Sequence, residues 1–175
     1  KSFFGNGKKW GVEIIYCEEK QPLGTAGALR QAVNLTSDRE FFSLNGDSFV
    51  DLDYNQIVAY HRQKGAVATI SLVGVNEVSR YGKVEINKDG KILRFREKSV
   101  ARAGFINAGV YFFAREVIKD IPERKVSIEK EIFPRLVGRG LYGFVTKGFF
   151  VDIGVPKDYL SLCNNPKLLM SAVRV

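Results

Sequence analysis

The sequence predicts an α/β fold: a Rossmann-like, mostly parallel sheet flanked by helices, with a β-hairpin inserted into it. Three observations carry this. Apolar runs at residues 12–17, 40–45 and 66–74 alternate with helix-patterned stretches at 26–35 and 53–64, the strand–helix order of a parallel sheet. A polar–apolar alternation at 82–95 then interrupts that order. The proline- and glycine-bearing loop at 19–29 (EKQPLGTAGAL) joins the first run to the first helix. Open α/β sheets bind nucleotides at such places, outside the carboxyl ends of their strands.

Each element has its own signal. The run at 12–17 reads as a strand, and Gly24 and Gly27 in the following loop allow close backbone approach. Residues 40–45 form a short buried strand bounded by Asn45-Gly46-Asp47. Asp53 is placed as the N-cap of a helix running to about Lys64, which Gly65 ends. Residues 66–74, rich in β-branched side chains, make a third strand. Segments 82–87 and 91–95 pair as a hairpin with one wet face, turning at Asn87-Lys88-Asp89-Gly90. A long apolar strand follows at 105–113, with Asn107 as its polar interruption. Ser127 caps a helix whose first turn holds Glu129 and Glu131, favourable at the positive end of the dipole, and Pro134 kinks or shortens it. Strands near 141–146 and 149–152 precede a helix opened by Pro156. No repeat, low-complexity segment or linker divides residues 1–175, so one domain is expected.

Composition bounds the function. At 175 residues, 45% apolar and 26% charged, the chain has ordinary globular proportions. No apolar run approaches a membrane span, and no secretory leader opens the sequence. Cys17 and Cys163 stand far apart, which argues against a disulfide framework or a zinc site and for a reducing cytoplasm. The net charge of +8 suits anionic ligands. Its basic residues are scattered, however, and no nucleic-acid-binding signature accompanies them. His61, the only histidine, sits mid-helix among polar neighbours and is expected to be exposed. Histidine-based triads and metal sites are therefore removed from consideration.

Several residues could carry chemistry, each with a plainer reading beside it. Asp47 follows a buried strand in LNGDS, where a carboxylate can hold Mg²⁺ against phosphates or simply close a turn. Asp152 lies in GFFVDIGVP between apolar residues; a semi-buried carboxylate needs a metal or an arginine, or else it begins a helix. Glu97-Lys98 at the end of the hairpin could bind hydroxyls and a phosphate, or form a surface ion pair. Asn107 could serve a ligand or satisfy its amide on the backbone. Gly82, beside Arg80 and Tyr81, could bring main-chain amides to a ligand or make a turn.

Taken in order, these segments resemble the nucleotide-sugar pyrophosphorylases, which join a sugar 1-phosphate to a nucleoside triphosphate. Residues 19–29 resemble the family's base-binding loop, 44–49 (LNGDSF) its first metal motif, and Arg80-Tyr81-Gly82 its sugar-contacting turn. Residues 96–98 (REK) are similar to its FxEK element, with Ser99 where a proline is usual. Residues 105–111 (FINAGVY) resemble its INAGIY strand, and 148–159 (GFFVDIGVPKDY) its second metal motif. The nearest subgroup is the guanylyltransferases of heptose or mannose 1-phosphate; RYGKV and FFVDIGVPKDY most resemble the D-glycero-D-manno-heptose 1-phosphate branch. Glu19 adds a physical argument, because a carboxylate can accept the N1–H and N2–H₂ of guanine together, whereas uracil and thymine leave one acceptor unmatched. The family's opening strand, its GGxGTRL phosphate loop and its PKP segment do not appear. A first β–α portion on the order of 30 residues or more is therefore expected to be lacking.

The resemblance implies a transfer of GMP from GTP to a heptose- or mannose-type sugar 1-phosphate, releasing pyrophosphate, within lipopolysaccharide or capsule polysaccharide biosynthesis. It implies that Asp47 and Asp152 hold Mg²⁺ and that Lys98 neutralises the sugar phosphate. Glu97, Asn107, Tyr81 and the Gly82 backbone would face the sugar. Glu19 and Gly24 would contact the nucleotide, and Leu23, Thr25, Asn45 and Gly46 would also bind substrate, with Thr25 capping the following helix. No nucleic acid and no membrane are expected as partners, and homo-oligomerisation stays open. The alternatives are the same chemistry with UTP, dTTP or CTP and a hexose 1-phosphate, a non-catalytic nucleotide-sugar binder, or a basic nucleic-acid-binding domain.

Overall fold

The computed structural model describes residues 1–78, 81–96 and 103–170. Its largest sheet is built on strand β6 (Gly104–Ala114), whose apolar run predicted a long buried strand. Strand β3 (Ala68–Val75) runs antiparallel along one edge of β6. The other edge is divided. Strand β1 (Glu40–Leu44) pairs with the C-terminal half of β6, from Val110 to Ala114, and strand β4 (Lys83–Ile86) pairs with Phe105 and Ile106 near its start. Residues 107–109 lie between those two partners. Strand β5 (Ile92–Arg96) completes the hairpin with β4, turning through Gly90 at φ 84°. Strand β7 (Leu141–Thr146) lies parallel to β3 on its far side.

The α/β class and the inserted hairpin thus stand as expected, but the sheet is mixed rather than mostly parallel. Among the described pairings only β3–β7 is parallel. The reason is topological. Because β1 and β3 both run antiparallel to β6, they share one direction, as a strand–helix–strand order requires. They are not neighbours, since β6 lies between them and turns their hydrogen-bonded contacts antiparallel. A second, two-stranded ribbon pairs β2 (Ser48–Val50) with β8 (Phe150–Asp152), antiparallel.

The expected strand at 12–17 does not form among the described residues. The N–H groups of Val12 and Ile14 donate to Gly7 and Asn6 carbonyls of the N-terminal turn, and Val12 and Ile15 are more than half exposed. Helix α1 (Gly24–Val33) starts two residues earlier than predicted. Gly24 has φ 71°, and a Cβ there would lie 2.5 Å from the Val126 carbonyl, which itself accepts the Ala26 N–H at 3.0 Å. The glycine is demanded by that contact. Thr25 does not cap α1: its Oγ1 accepts the Ile128 N–H at 2.8 Å, so it pins the start of a different helix.

Helix α2 (Tyr54–Lys64) has the predicted ends, with Asp53 accepting from the Asn55 and Gln56 N–H groups and Gly65 at φ 56°. It contradicts one expectation. His61 is buried at 2% exposure, because with Ile57 it forms the α2 stripe that faces the sheet. Its Nδ1 lies 2.8 Å from Thr69 Oγ1, and its ring stands edge-on to Phe112. Burial lowers its pKa from the ordinary 6.5, against an upward pull from Glu40.

A short helix α3 (Glu116–Lys119), not foreseen in the sequence, follows β6. Ser127 caps a π-helical turn (Ile128–Ile132) that runs into α4 (Phe133–Leu136), the brief helix expected around Pro134. Phe133 is fully buried and stacks on Phe95 and Phe113, locking this segment onto the face of the sheet. Helix α5 (Pro156–Asn164) opens on Pro156 as predicted, and α6 (Lys167–Met170) follows.

Candidate active site

The ribbon β2–β8 makes the site. Its register sets Ser48 opposite Asp152, and the Ile153 N–H donates to the Asp47 carbonyl at 2.8 Å just beyond the last pair. Two residues 105 positions apart in sequence are thereby neighbours. Their carboxylates converge on Gly154, where an added Cβ would lie 3.0 Å from Asp152 Oδ1 and 3.1 Å from Asp47 Oδ2. The Gly154 N–H donates to Asp152 Oδ1 at 3.0 Å, which fixes one of the two groups. Among the described residues neither carboxylate has an ion pair with a lysine or arginine. Likewise, no third His, Cys, Asp or Glu among them joins the pair to complete a metal cage. Two oxygen donors open to solvent fit Mg²⁺, which is commonly held by one or two carboxylates plus water and substrate phosphates.

Asp47 borders two cavities, and Asp152 lines the smaller of them. The larger, about 740 Å³, is lined by Glu19, Thr25, Asn45, Gly46 and Asp47, with Tyr111 and Glu129 at its back. The smaller, about 260 Å³, is lined by Asn45, Asp47, Tyr81, Gly82, Asn107 and Asp152, and again by Glu129. Asn45, Asp47 and Glu129 belong to both, so they form the wall between them. The smaller cavity sits where the edge of β6 is shared between β1 and β4. Gly109 makes this opening possible: it has φ 79°, and a Cβ would come within 2.3 Å of Ser48 Oγ and 3.0 Å of Asn45 Nδ2. Its carbonyl accepts the Asn45 N–H at 2.8 Å, fixing the wall. A third hollow, about 790 Å³ beside Phe49 and Phe149, contains none of the predicted site residues.

Most of the predicted residues are thus brought together. Glu19 bends back so that Oε2 accepts the Leu23 N–H at 2.7 Å while its side chain lines the larger cavity. Leu23 and Gly24 line neither cavity of the pair; they serve the contact between α1 and Val126. Glu97 and Lys98, with Arg80, lie outside the described residues. Sequence reasoning missed Ser48, Tyr111 and Gly109 as lining groups, and it read Glu129 only as a helix-start charge. The available signal was the Asn-x-Gly spacing at 107–109, because an interrupted apolar strand with a glycine two residues on marks an irregular edge.

Asn107 holds a network at that edge. Its Nδ2 donates to Tyr111 Oη at 2.8 Å and to Glu129 Oε1 at 3.1 Å, and its Oδ1 accepts the Gly109 N–H at 2.9 Å. Tyr111, 2% exposed, also donates to Glu129 at 3.4 Å. Burial first, and the Glu129 charge second, push the phenol far above its ordinary pKa.

The sequence matches the model of the nucleotidyl transferase family over residues 1–167. It is 43% identical over 158 residues to the mannose-1-phosphate guanylyltransferase catalytic subunit beta of Dictyostelium discoideum, covering 88% of this chain and 44% of that protein. It is also 43% identical over 160 residues to the mannose-1-phosphate guanyltransferase of Yarrowia lipolytica, with the same coverage. The chain spans less than half the length of these relatives. HddC from Yersinia pseudotuberculosis, solved in complex with GMP-PN, superposes with a TM-score of 0.77 at 34% identity, over 87% of this chain and 66% of that one. A glucose-1-phosphate thymidylyltransferase structure from Bacillus anthracis, described as putative by its solvers, shares the fold at TM-score 0.78 and 21% identity, over 91% of this chain and 68% of that one. By the extent of the family match, the chain belongs to the nucleotidyl transferase family.

Proposed function

We propose that the protein transfers GMP from GTP to a sugar 1-phosphate of the mannose or heptose type, giving a GDP-sugar and pyrophosphate. The observation that carries this is the pair of adjoining cavities with Asp47 in their common wall and Asp152 beside it. Such an arrangement suits two ligands that meet at one phosphorus. The nucleotide takes the larger cavity and the sugar 1-phosphate the smaller. The sugar phosphate oxygen attacks the α-phosphorus in line and pyrophosphate departs; that oxygen is already ionised, so no general base is needed.

Asp47 and Asp152 would hold Mg²⁺, which when bound supplies neutralisation of charge developing on the phosphates. The residues of this chain mainly position the reactants. Glu19 reads the guanine edge by accepting its adjacent N–H donors. Lys98 neutralises the sugar phosphate, a charge-assisted contact of about 1.5–3 kcal/mol. Glu97 and the Gly82 backbone read the sugar hydroxyls, and Tyr81 and Asn107 line the same cavity as Gly82. The names of the guanylyltransferase relatives and the GMP-PN in the Yersinia structure support guanine over other bases. No helix among the described residues is long and apolar enough to cross a membrane. A cytoplasmic enzyme of polysaccharide precursor synthesis, with residues 1–175 belonging to a single nucleotidyltransferase domain, is the matching setting.

A pyrophosphate-release screen of the intact protein with Mg²⁺ tests the reading. Four nucleoside triphosphates are crossed with mannose, heptose and glucose 1-phosphates. Release with GTP and mannose or heptose 1-phosphate is expected. Binding of a GDP-sugar with no release from any pair would make the protein a nucleotide-sugar binder instead.

A further inference from the structure

The wall between the two cavities carries a carboxylate that the reaction above does not use. Glu129 lines both cavities and is exposed to them. Among the described residues no lysine or arginine pairs with it. Its Oε1 is instead held from β6 by two neutral donors, the Asn107 amide at 3.1 Å and the Tyr111 hydroxyl at 3.4 Å. Both amide hydrogens of Asn107 are consumed inside the protein, one by Tyr111 and one by Glu129, while its oxygen accepts from Gly109. Asn107 therefore has no N–H left to offer a ligand.

The carboxylate has capacity to spare. Its two oxygens provide about four acceptor positions, and two are filled. Buried Tyr111 keeps its proton and stays a donor. An acceptor already fixed by two donors has lost most of its rotamer freedom before a ligand arrives, so binding costs it less. Such a group repels phosphate and takes hydroxyl donors, and a carboxylate can take two neighbouring hydroxyls at once. The base edge has its own carboxylate at Glu19. The ligand rich in hydroxyls is the one in the smaller cavity.

We propose that Glu129 is a specificity-determining residue of the smaller cavity, accepting ring hydroxyls of the sugar 1-phosphate, with Asn107 and Tyr111 as the positioning residues that aim it. This rests on the two-substrate reading above, and it moves Asn107 from hydroxyl reader to support.

Calorimetric binding of mannose 1-phosphate and its monodeoxy analogues to the intact protein tests it without requiring turnover. Glu129→Gln keeps the volume and the contact to Asn107, so the fold is retained. It should weaken mannose 1-phosphate by about tenfold or more, as loss of a charged acceptor does. That penalty should largely vanish for the one analogue lacking the hydroxyl that Glu129 holds, while GTP affinity stays within about twofold. Tyr111→Phe, which removes one support and leaves the carboxylate, should give a smaller loss with the same analogue dependence. Equal losses across all analogues would overturn the proposal. So would a loss confined to GTP, which would assign Glu129 to the ribose. Pyrophosphate release measured in parallel separates the two readings. Release with unaltered sugar binding in Glu129→Gln overturns this inference alone. Glu129-dependent sugar binding without release overturns nucleotidyl transfer alone, and absence of both overturns both.

Discussion

At the scale of single residues, the site depends on groups whose chemistry is ordinary and whose placement is not. Asp152 receives one backbone hydrogen bond and faces Asp47 across Gly154, so its negative charge is held in place and is not balanced by a described side chain. Asp152→Asn keeps the shape and the Gly154 contact while removing the charge. Turnover should fall on the order of 10²-fold, as for other groups that stabilise transition-state charge, with the melting temperature unchanged. Near-normal kcat would remove Asp152 from the catalytic machinery. Glu19 permits a sharper test. Gln at this position can still accept the Leu23 N–H, but it offers guanine a donor where an acceptor is needed. The KM for GTP should rise about tenfold and that for UTP much less; equal rises would end the guanine argument.

At the scale of elements, the loop at 19–29 is held by the segment around Val126. The Val126 N–H donates to Leu23, its carbonyl accepts from Ala26, and Thr25 in turn accepts the Ile128 N–H. The start of α1 and the start of the π-helical turn are thus tied to each other, and each carries a cavity residue, Thr25 and Glu129. Gly24→Ala forces a left-handed residue against the Val126 carbonyl. It should cost roughly 1–3 kcal/mol in denaturant unfolding, and weaken nucleotide binding because Glu19 and Thr25 move with the loop. Stability within experimental error of the parent would show that the loop is not pinned there.

At the scale of the whole molecule, stability carries a pH signature from the α2–sheet interface. His61 is buried and its pKa is lowered, chiefly by burial, so the folded state holds it neutral while the unfolded chain protonates near 6.5. The unfolded state then binds more protons below that value, and stability falls as the pH drops from 6.5 toward the folded pKa. Above 6.5 the contribution is complete. Thermal melts between about pH 7 and 5 should show this loss, and His61→Gln should reduce the slope over that window even if it lowers stability throughout. An unchanged slope would place the acid sensitivity in the carboxylates.

Much of this was open to reading from the residues alone. Asp53 and Gly65 bounded α2, Gly90 turned the hairpin, and Pro156 opened α5, because caps and turns are local chemistry that needs no distant partner. The two aspartates could likewise be singled out, each at the end of an apolar run. Their meeting could not be seen, since it requires β2 to pair with β8, and although the strand near 149–152 was legible, its partner at 48–50 lies about 100 residues earlier and was not. His61 was misplaced for a related reason: its sequence neighbours are polar, and only the packing of α2 on β3 and β6 decides which side of the helix is buried. Nor could the mixed sheet be inferred, because strand direction follows from local connections while strand adjacency is settled when β6 takes its place between β1 and β3. The sequence by itself therefore determined most of the elements, the family and the identities of the candidate site side chains. Tertiary structure alone decided that Asp47 and Asp152 converge, that Asn107 is occupied within the protein, and that Glu129 stands between two cavities, because each of these depends on hydrogen bonds between strands that the chain brings together from far apart.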